Sequence, residues 1–253
     1  GLFFDHSIYD LSTAFRFFNL IYTNPFNEII KKIPDYSYKP ILNELLTLKS
    51  YKFLKFRNYL PQIKNMYKNN LLIKSYEKEK TILKKNKFNL KSVDVSLAIS
   101  LDHIFKSIDK KYKKLTVGIL FSFKNTRFNN NYTIIPITIK RDNLINIAKQ
   151  IKKEKKKKYI YSLLIYDYFN YYLPDMQQKL KKNNFDVFFS NVYTINEEFY
   201  KYFKTCSFHV NSTCNFYITS CSSKFDKYNY ISYEYKNNIV NKDKFNQPIL
   251  INI

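Results

Sequence analysis

Glycine is nearly absent, and this scarcity constrains the fold more than any other feature of the 253-residue chain. Only Gly1 and Gly118 are present. The glycine-rich loop of dinucleotide-binding folds and the phosphate loop of P-loop enzymes both need several glycines, because the backbone must approach phosphates closely. The sequence therefore excludes both nucleotide-binding classes. Gly118 lies inside an apolar segment and predicts that another group approaches the chain closely there.

The composition is that of a globular protein with a strongly basic surface. Hydrophobic residues make up 45 % of the chain, and its formal net charge is +23. The length suits one large domain or two smaller ones. A surface this basic attracts nucleic acid, anionic lipid and phosphate groups at low salt. We interpret the lysines as a solvated surface, so nucleic acid is not an expected partner.

The cysteines predict no metal site. Cys206, Cys214 and Cys221 are separated by seven and six residues, and the nearby His209 does not complete a zinc pattern. An odd number of thiols indicates a reducing compartment, so we expect a cytoplasmic protein without disulfides. No apolar run approaches the ~20 residues needed to span a membrane.

Hydrophobic periodicity predicts an α+β fold in which helices flank a mixed sheet. The predicted strands are 2–4, Leu115–Phe123, Tyr132–Lys140, Phe185–Val192, Cys214–Cys221 and Tyr228–Tyr235. The predicted helices are 12–22, 41–60, 75–89, 89–108, 143–158, 161–172, 175–182 and 241–245. Ser92 is expected to cap the helix over 89–108, and Pro136 places its strand at an edge or a bulge.

Two basic segments have ordinary structural explanations. The lysine-rich block 152–158 is predicted to end a helix, where cations favour the helix dipole. This explanation is preferred to a nucleic-acid patch because the block contains no interleaved aromatics. The basic and aromatic segment 41–60 is predicted to pack one apolar side on the domain, with a membrane-surface helix as the alternative.

His6 and Asp10 stand four residues apart, between a short apolar run and a predicted helix. The imidazole of His6 is a candidate general base at the mouth of a cleft, and the carboxylate of Asp10 is a candidate for holding the local backbone. The alternative is a partly buried histidine followed by an acid at a helix N-terminus. Spacing alone does not choose between them.

Several segments together resemble one superfamily, in the same order. Asp5-His6-Ser-Ile-Tyr-Asp10-Leu11 is similar to the His-His-x-x-x-Asp-Gly motif of the CoA-dependent acyltransferases with the chloramphenicol-acetyltransferase-like fold. Ser92-Val-Asp-Val-Ser-Leu-Ala98 and Phe189-Ser-Asn-Val192 resemble later segments of its wax ester synthase/diacylglycerol acyltransferase branch. Asp5 replaces the first histidine of the motif, and Leu11 replaces its glycine.

The resemblance covers nearly the whole chain but only the later part of the family's fold. It implies two parts: residues 1–74, a motif segment and helical connector of the first half-domain, and 75–253, the C-terminal half-domain. A missing N-terminal half-domain is then an expected partner, because the family's active site lies between both halves.

The resemblance also implies a function. His6 would be the general base of an O-acyltransferase, Asp10 would orient its loop, and Ser190 and Asn191 would contact substrate. Acyl-CoA would be the co-substrate, with no bound cofactor and no metal, and a lipid or long-chain alcohol hydroxyl would be the acceptor. A peripheral position on a membrane or lipid droplet is a further expectation.

Three alternatives stay open. Ser190 and Asn191 are also explained as strand residues that satisfy local hydrogen bonds. The domain could be a catalytically inactive acyltransferase-like binding or scaffold module, as Asp5 and Leu11 suggest. The chain could also be a basic protein that binds nucleic acid or a membrane surface, with an accidental His6–Asp10 pair.

Overall fold

The computed structural model describes residues 59–61, 70–78, 90–122, 132–171, 185–191, 214–249 and 251. The elements within these ranges are, in chain order, β1 (Asn70–Glu77), α1 (Ser92–Ser107), β2 (Lys114–Ser122), β3 (Tyr132–Lys140), α2 (Leu144–Tyr171), β4 (Val187–Asn191), β5 (Phe216–Ser222), β6 (Tyr228–Tyr235), a 3-10 turn (Asn237–Ile239) and α3 (Lys242–Asn246). The elements predicted at 2–4, 12–22 and 175–182, and 41–58 of the helix predicted at 41–60, lie outside the described residues.

The described strands form one mixed six-stranded sheet in the order β1-β6-β5-β4-β2-β3. β2, β4 and β5 run parallel to one another, and the outer pairs β1–β6, β6–β5 and β2–β3 are antiparallel. This architecture confirms the predicted α+β class with helices on a mixed sheet. It also confirms the closing antiparallel hairpin, whose second strand has the predicted bounds.

The helices cover one face of the sheet, which we call the helix-covered face. Alternate residues of each strand point to this face and pack against α1, α2 and α3 in one apolar core. Twelve of the sixteen residues of α1 are buried, as expected for a helix that is apolar on most sides. The opposite side, the second face, carries a smaller apolar cluster around Phe188 and Tyr217.

The structure confirms that other groups approach the backbone closely at Gly118, as predicted. A Cβ atom on this residue would lie 3.0 Å from the Phe188 ring, 3.1 Å from Ile134 and 3.1 Å from Phe185. These contacts are tighter than ordinary van der Waals packing, so the second face has no room for a larger residue in the middle of β2. Glycine at this position lets three large side chains meet over the strand.

β3 is an edge strand of the described sheet, as Pro136 predicted. Proline has no N–H to donate, so it is tolerated at an edge. Nearby, the side-chain amide of Gln150 accepts a hydrogen bond from Lys140 N at 2.8 Å and donates to Lys140 O at 3.3 Å. Gln150 thereby satisfies backbone groups that a further strand would otherwise pair with.

The helix predicted over 75–89 is wrong at its start. Residues 75–77 belong to β1, which pairs with β6 from Asn70–Tyr235 to Glu77–Tyr228, and 79–89 lie outside the described residues. Long-range pairing decides the structure here, against a charged composition that favours a helix. The boundary predicted between residues 74 and 75 falls inside β1.

Two predictions about helix ends are also wrong. α2 runs without a break from Leu144 to Tyr171, so the lysine block 152–158 lies in its middle and its last turn carries no basic residue. Ser92 does not cap α1, because it is the first helical residue. The N-cap is Lys91, and among the described contacts its side chain makes no capping hydrogen bond.

Candidate functional site

The carboxyl ends of the parallel strands β4 and β5 lie at the same edge of the sheet. Ligands of open α/β sheets commonly bind outside this edge, because loops and polar strand ends meet there. Ser190 and Asn191 close β4, beside Thr219 and Ser220 of β5 in register. The two residues predicted from sequence are therefore both at the edge where ligands of such sheets commonly bind.

Successive strand residues alternate between faces, so Ser190 and Asn191 point in opposite directions. Asn191 is exposed and lies on the helix-covered side of the strand end. Its Oδ1 accepts a hydrogen bond from Ser220 Oγ at 2.6 Å. The amide group of Asn191 thus has a local partner, as the alternative reading of the sequence expected, and it remains open to solvent.

Ser190 belongs to a row of three buried hydroxyl residues on the second face. Ser190, Thr219 and Ser232 stand opposite one another on β4, β5 and β6. Burial raises the pKa of the Tyr217 phenol, while a hydrogen bond with the Ser190 side chain acts in the opposite direction. Within the described part of the chain, Thr219 Oγ1 is buried without a hydrogen-bond partner.

An apolar cluster adjoins this hydroxyl row. Phe185 and Phe188 meet edge to face with ring centroids 4.9 Å apart, and Leu120 and Ile134 pack beside them. The second face thus joins hydrogen-bonding groups to an apolar, aromatic surface. Such an arrangement is chemically suited to a molecule with one polar group and one apolar chain.

Asp186 organises the opposite, amino end of β4 and is fully buried. Its carboxylate accepts hydrogen bonds from Tyr59 N at 2.9 and 3.1 Å, Leu60 N at 2.7 Å and Thr116 N at 2.7 Å. Burial raises the pKa of Asp186, and these backbone donors lower it in part. The residue ties the segment after position 58 to the start of the sheet.

Sequence reasoning missed Asp186. The available signal was an acid between Phe185 and Val187, at the start of a strongly apolar strand. A charged group in such a place needs several hydrogen-bond partners once it is buried. Its donors come from positions 59, 60 and 116, which no local pattern connects to residue 186.

A second polar network lies beneath the first turns of α1. The Tyr76 hydroxyl is 2.7 Å from Ser96 Oγ and accepts a hydrogen bond from Asn229 Nδ2 at 3.0 Å. Burial raises the pKa of Tyr76, and both hydrogen bonds act against this rise. The network links β1, α1 and β6, which explains how a strand whose last residues were predicted to be helical is held in the sheet.

His103 of α1 is the only histidine among the described residues. Its Nε2 lies 2.9 Å from Phe245 O, and its ring packs against Tyr233 and Phe245. Burial, then the nearby charge of Lys74, lowers the pKa of His103 to about 4. An imidazole with this pKa is a weak general base at neutral pH, so we assign His103 a structural role.

His6 and Asp10 lie outside the described residues, so their predicted roles stay predictions. Among the residues that are described, no three His, Cys, Asp or Glu side chains form a group that could hold a metal ion. Cys214 and Cys221 are buried and take part in no disulfide among the described residues. No helix in the described ranges is long and apolar enough to cross a membrane.

Comparison with known proteins shows the fold but no close relative. No protein-family model and no curated protein matches the sequence. The epimerization domain from the third module of tyrocidine synthetase B matches with a TM-score of 0.57 and 12 % identity, over 94 % of this chain and 64 % of that domain.

Two further solved structures agree. The X-domain from teicoplanin biosynthesis, in complex with OxyB, gives a TM-score of 0.57 at 7 % identity, over 94 % of this chain and 62 % of that one. A variant of the starter condensation domain of rhizomide synthetase RzmA gives 0.50 at 10 % identity, over 91 % and 57 %. The chain spans less than two thirds of each neighbour's length. It therefore has the chloramphenicol-acetyltransferase-like fold of condensation, epimerization and X domains.

Proposed function

We propose that this chain is part of an acyltransferase that moves an acyl group from acyl-CoA to a hydroxyl acceptor. The observation that carries the proposal is the mixed sheet, which matches the epimerization domain of tyrocidine synthetase B over 94 % of this chain. The Asp5-His6-Ser-Ile-Tyr-Asp10 segment stands ahead of that sheet and resembles the family's catalytic motif. Fold alone does not determine chemistry, so the motif has to be tested directly.

In this mechanism His6 takes the proton from the acceptor hydroxyl as its oxygen attacks the thioester carbonyl of acyl-CoA. The new ester bond forms, the carbon–sulfur bond breaks, and the CoA sulfur leaves and receives the proton. A histidine is suited to this step because its unperturbed pKa is near neutrality. Asp10 orients the loop, and an N-terminal half-domain completes the site.

The second face of the sheet is the proposed contact for the acyl group. Its hydroxyl row at Ser190 and Thr219 offers hydrogen bonds to a carbonyl oxygen, and the cluster around Phe188 offers apolar contact. Asn191 lies on the other side of the strand and is assigned a peripheral contact. A lipid or long-chain alcohol fits such a surface better than a small charged acceptor does.

The test is release of the CoA thiol from acyl-CoA in the presence of a long-chain alcohol or diacylglycerol. We expect His6→Ala to reduce turnover by about 100-fold or more, the range in which a general base contributes. His209→Ala is the matched control, because it removes a histidine outside the motif and should leave turnover unchanged. Full turnover by the His6→Ala protein would overturn the mechanism.

A second candidate function is protein binding without catalysis. One structural neighbour, the X-domain, was solved in complex with OxyB, and Asp5 and Leu11 depart from the catalytic motif of the family. This candidate predicts no thiol release by either wild type or His6→Ala, across several acyl lengths and acceptors. Pull-down with the intact chain as bait would then be the next measurement.

A further inference from the structure

The middle of α2 carries five exposed lysines on one side, which we call the lysine face. The lysine face consists of Lys149, Lys152, Lys153, Lys156 and Lys157. Separations of three and four residues place these side chains next to one another along about 12 Å of helix. Ile147, Ala148 and Ile151 lie on the opposite side of α2 and are buried in the core.

The helix dipole does not account for this cluster. The sequence predicted a helix end here, where the dipole favours cations, but the helix continues to Tyr171. Away from the last turn the dipole gives no such benefit. Like charges four residues apart repel one another, as in the pairs Lys149–Lys153 and Lys153–Lys157. These repulsions oppose the helix that carries the lysine face.

Two ion pairs involve lysines on or beside this face. Lys155 forms an ion pair with the buried Asp94, but it lies beside the lysine face and serves to join α1 to α2. Lys157 is 3.8 Å from Glu154, with 60 % of its side chain exposed, so this pair is weak. Five exposed lysines within about 12 Å of helix make a dense positive charge that an anionic surface can use.

The chemistry of α2 favours a membrane as that surface. Lysine is a hydrated point charge that lacks the bidentate geometry of arginine, so it suits diffuse negative charge better than a shaped phosphate site. The helix continues as Tyr159-Ile-Tyr-Ser-Leu-Leu-Ile-Tyr-Asp-Tyr-Phe-Asn-Tyr171, in which Asp167 is the only charged residue. In sequence terms, a lysine-rich stretch followed by tyrosine and aliphatic residues is typical of segments that lie at a lipid interface.

We propose that the lysine face of α2 binds the anionic headgroups of a phospholipid membrane and holds the protein at its surface. The proposal does not rest on acyl transfer, since it uses none of the candidate catalytic residues. Each lysine near an anionic surface strengthens binding several-fold, and the gain weakens as salt rises.

The test is co-sedimentation of the full 253-residue chain with phosphatidylcholine vesicles that contain or lack phosphatidylserine. The variant combines Lys153→Gln, Lys156→Gln and Lys157→Gln. The matched control combines Lys224→Gln, Lys242→Gln and Lys244→Gln, three exposed lysines on other elements. We expect the variant to lose roughly 100-fold in partitioning to phosphatidylserine vesicles and the control to stay close to wild type.

Thermal unfolding checks that the variant is folded, and its melting temperature should equal or exceed that of wild type because repulsion is relieved. Wild-type binding that ignores phosphatidylserine, or equal losses in both triple variants, would overturn the proposal. Binding to RNA but not to vesicles, lost in the α2 variant alone, would also overturn it and assign the lysine face to nucleic acid. Thiol release by detergent-solubilised substrates should be unchanged in the variant, which separates this test from that of the acyltransferase.

Discussion

Polar residues lie at both ends of β4, and their hydrogen bonding differs between the two ends. At the amino end, the buried Asp186 carboxylate accepts hydrogen bonds from three backbone N–H groups. At the carboxyl end, Asn191 is exposed, and Thr219 Oγ1 beside Ser190 is buried without a partner in the described part of the chain. Fully satisfied polar groups hold a fold together, whereas unsatisfied ones cost stability and are free to meet a ligand. This contrast supports the proposed contact of the acyl group at the carboxyl end.

Removal of the Asp186 carboxylate is the strongest test of this difference between the two ends of β4. We expect Asp186→Ala to lower the free energy of unfolding by about 3 to 5 kcal/mol, because it removes the acceptor of two buried N–H groups and of a partly buried one. Denaturant titration measures this loss. Hydrogen exchange should also show that the Tyr59 and Leu60 amides lose protection, since Asp186 is their acceptor.

Ser190→Ala is the matched change at the other end of the strand, with an expected loss of about 1 kcal/mol or less. Asp186→Asn keeps the size of the side chain but turns one acceptor into a donor, so its cost should fall near that of Asp186→Ala. If Asp186→Ala and Ser190→Ala cost the same, the distinction between the two ends of β4 does not hold.

His103 is a further buried polar group to compare with Asp186. Its hydrogen bonding is satisfied only when the imidazole is neutral. Its pKa is about 4 in the fold, against 6.5 for a free histidine, so the unfolded chain binds the proton more readily. The stability that His103 contributes is complete above pH 6.5 and is lost as the pH falls towards 4. The expected total loss is about 3 kcal/mol.

Urea unfolding at a series of pH values between 7 and 4 measures this loss. His103→Gln is the control, because it can still donate to Phe245 O but does not titrate. As the pH falls through this range, the free energy of unfolding of wild type should therefore decrease relative to that of His103→Gln. This relative loss should level off below pH 4. A constant difference would show that burial of His103 does not disfavour its charged form.

Thr219 and Ser220 provide the smallest and most selective test, since these neighbours differ in hydrogen bonding. Thr219→Val removes an unpartnered hydroxyl at nearly constant shape and should raise the free energy of unfolding by about 1 kcal/mol. Ser220→Ala removes a hydroxyl that donates to Asn191 and should lower it by a similar amount. Thermal or denaturant unfolding measures both changes.

Thiol release provides a second measurement on the Thr219 variant. If the Thr219 hydroxyl contacts the acyl group, Thr219→Val lowers thiol release while it raises stability. A Thr219→Val protein that loses stability would show that the hydroxyl already has a partner in the folded chain. In that case the carboxyl end of β4 would be as fully satisfied as the amino end.

Local pattern was enough to predict much of the sheet. Tyr132–Lys140 and Tyr228–Tyr235 have the predicted bounds, and the helix over 89–108 is observed as Ser92–Ser107. Pro136 at an edge and Gly118 under large side chains were also predictable, because each residue carries its own backbone restriction. Ser190 and Asn191 were found in the sequence only through their resemblance to a family segment.

Other features depended on residues far apart in the chain. Leu71 and Ile73 are 56 % and 45 % exposed while Lys74 is buried. Apolar side chains therefore face outward and a lysine faces inward, the reverse of the alternation that would predict β1 as a strand. Lys74 tolerates burial because its Nζ donates to Gln247 O. Likewise, only the fold shows that α2 continues through its lysines and that Asp186 binds Tyr59 and Leu60.

The sequence by itself determined the element types wherever alternation or a helical repeat was strong, and it excluded the glycine-dependent nucleotide folds. Tertiary structure decided which polar groups are satisfied, because a buried carboxylate or imidazole takes its partners from elements that are distant in sequence. It also decided that the lysines of α2 form one exposed face in mid-helix, since the end of a helix depends on what its next residues pack against as well as on local propensity.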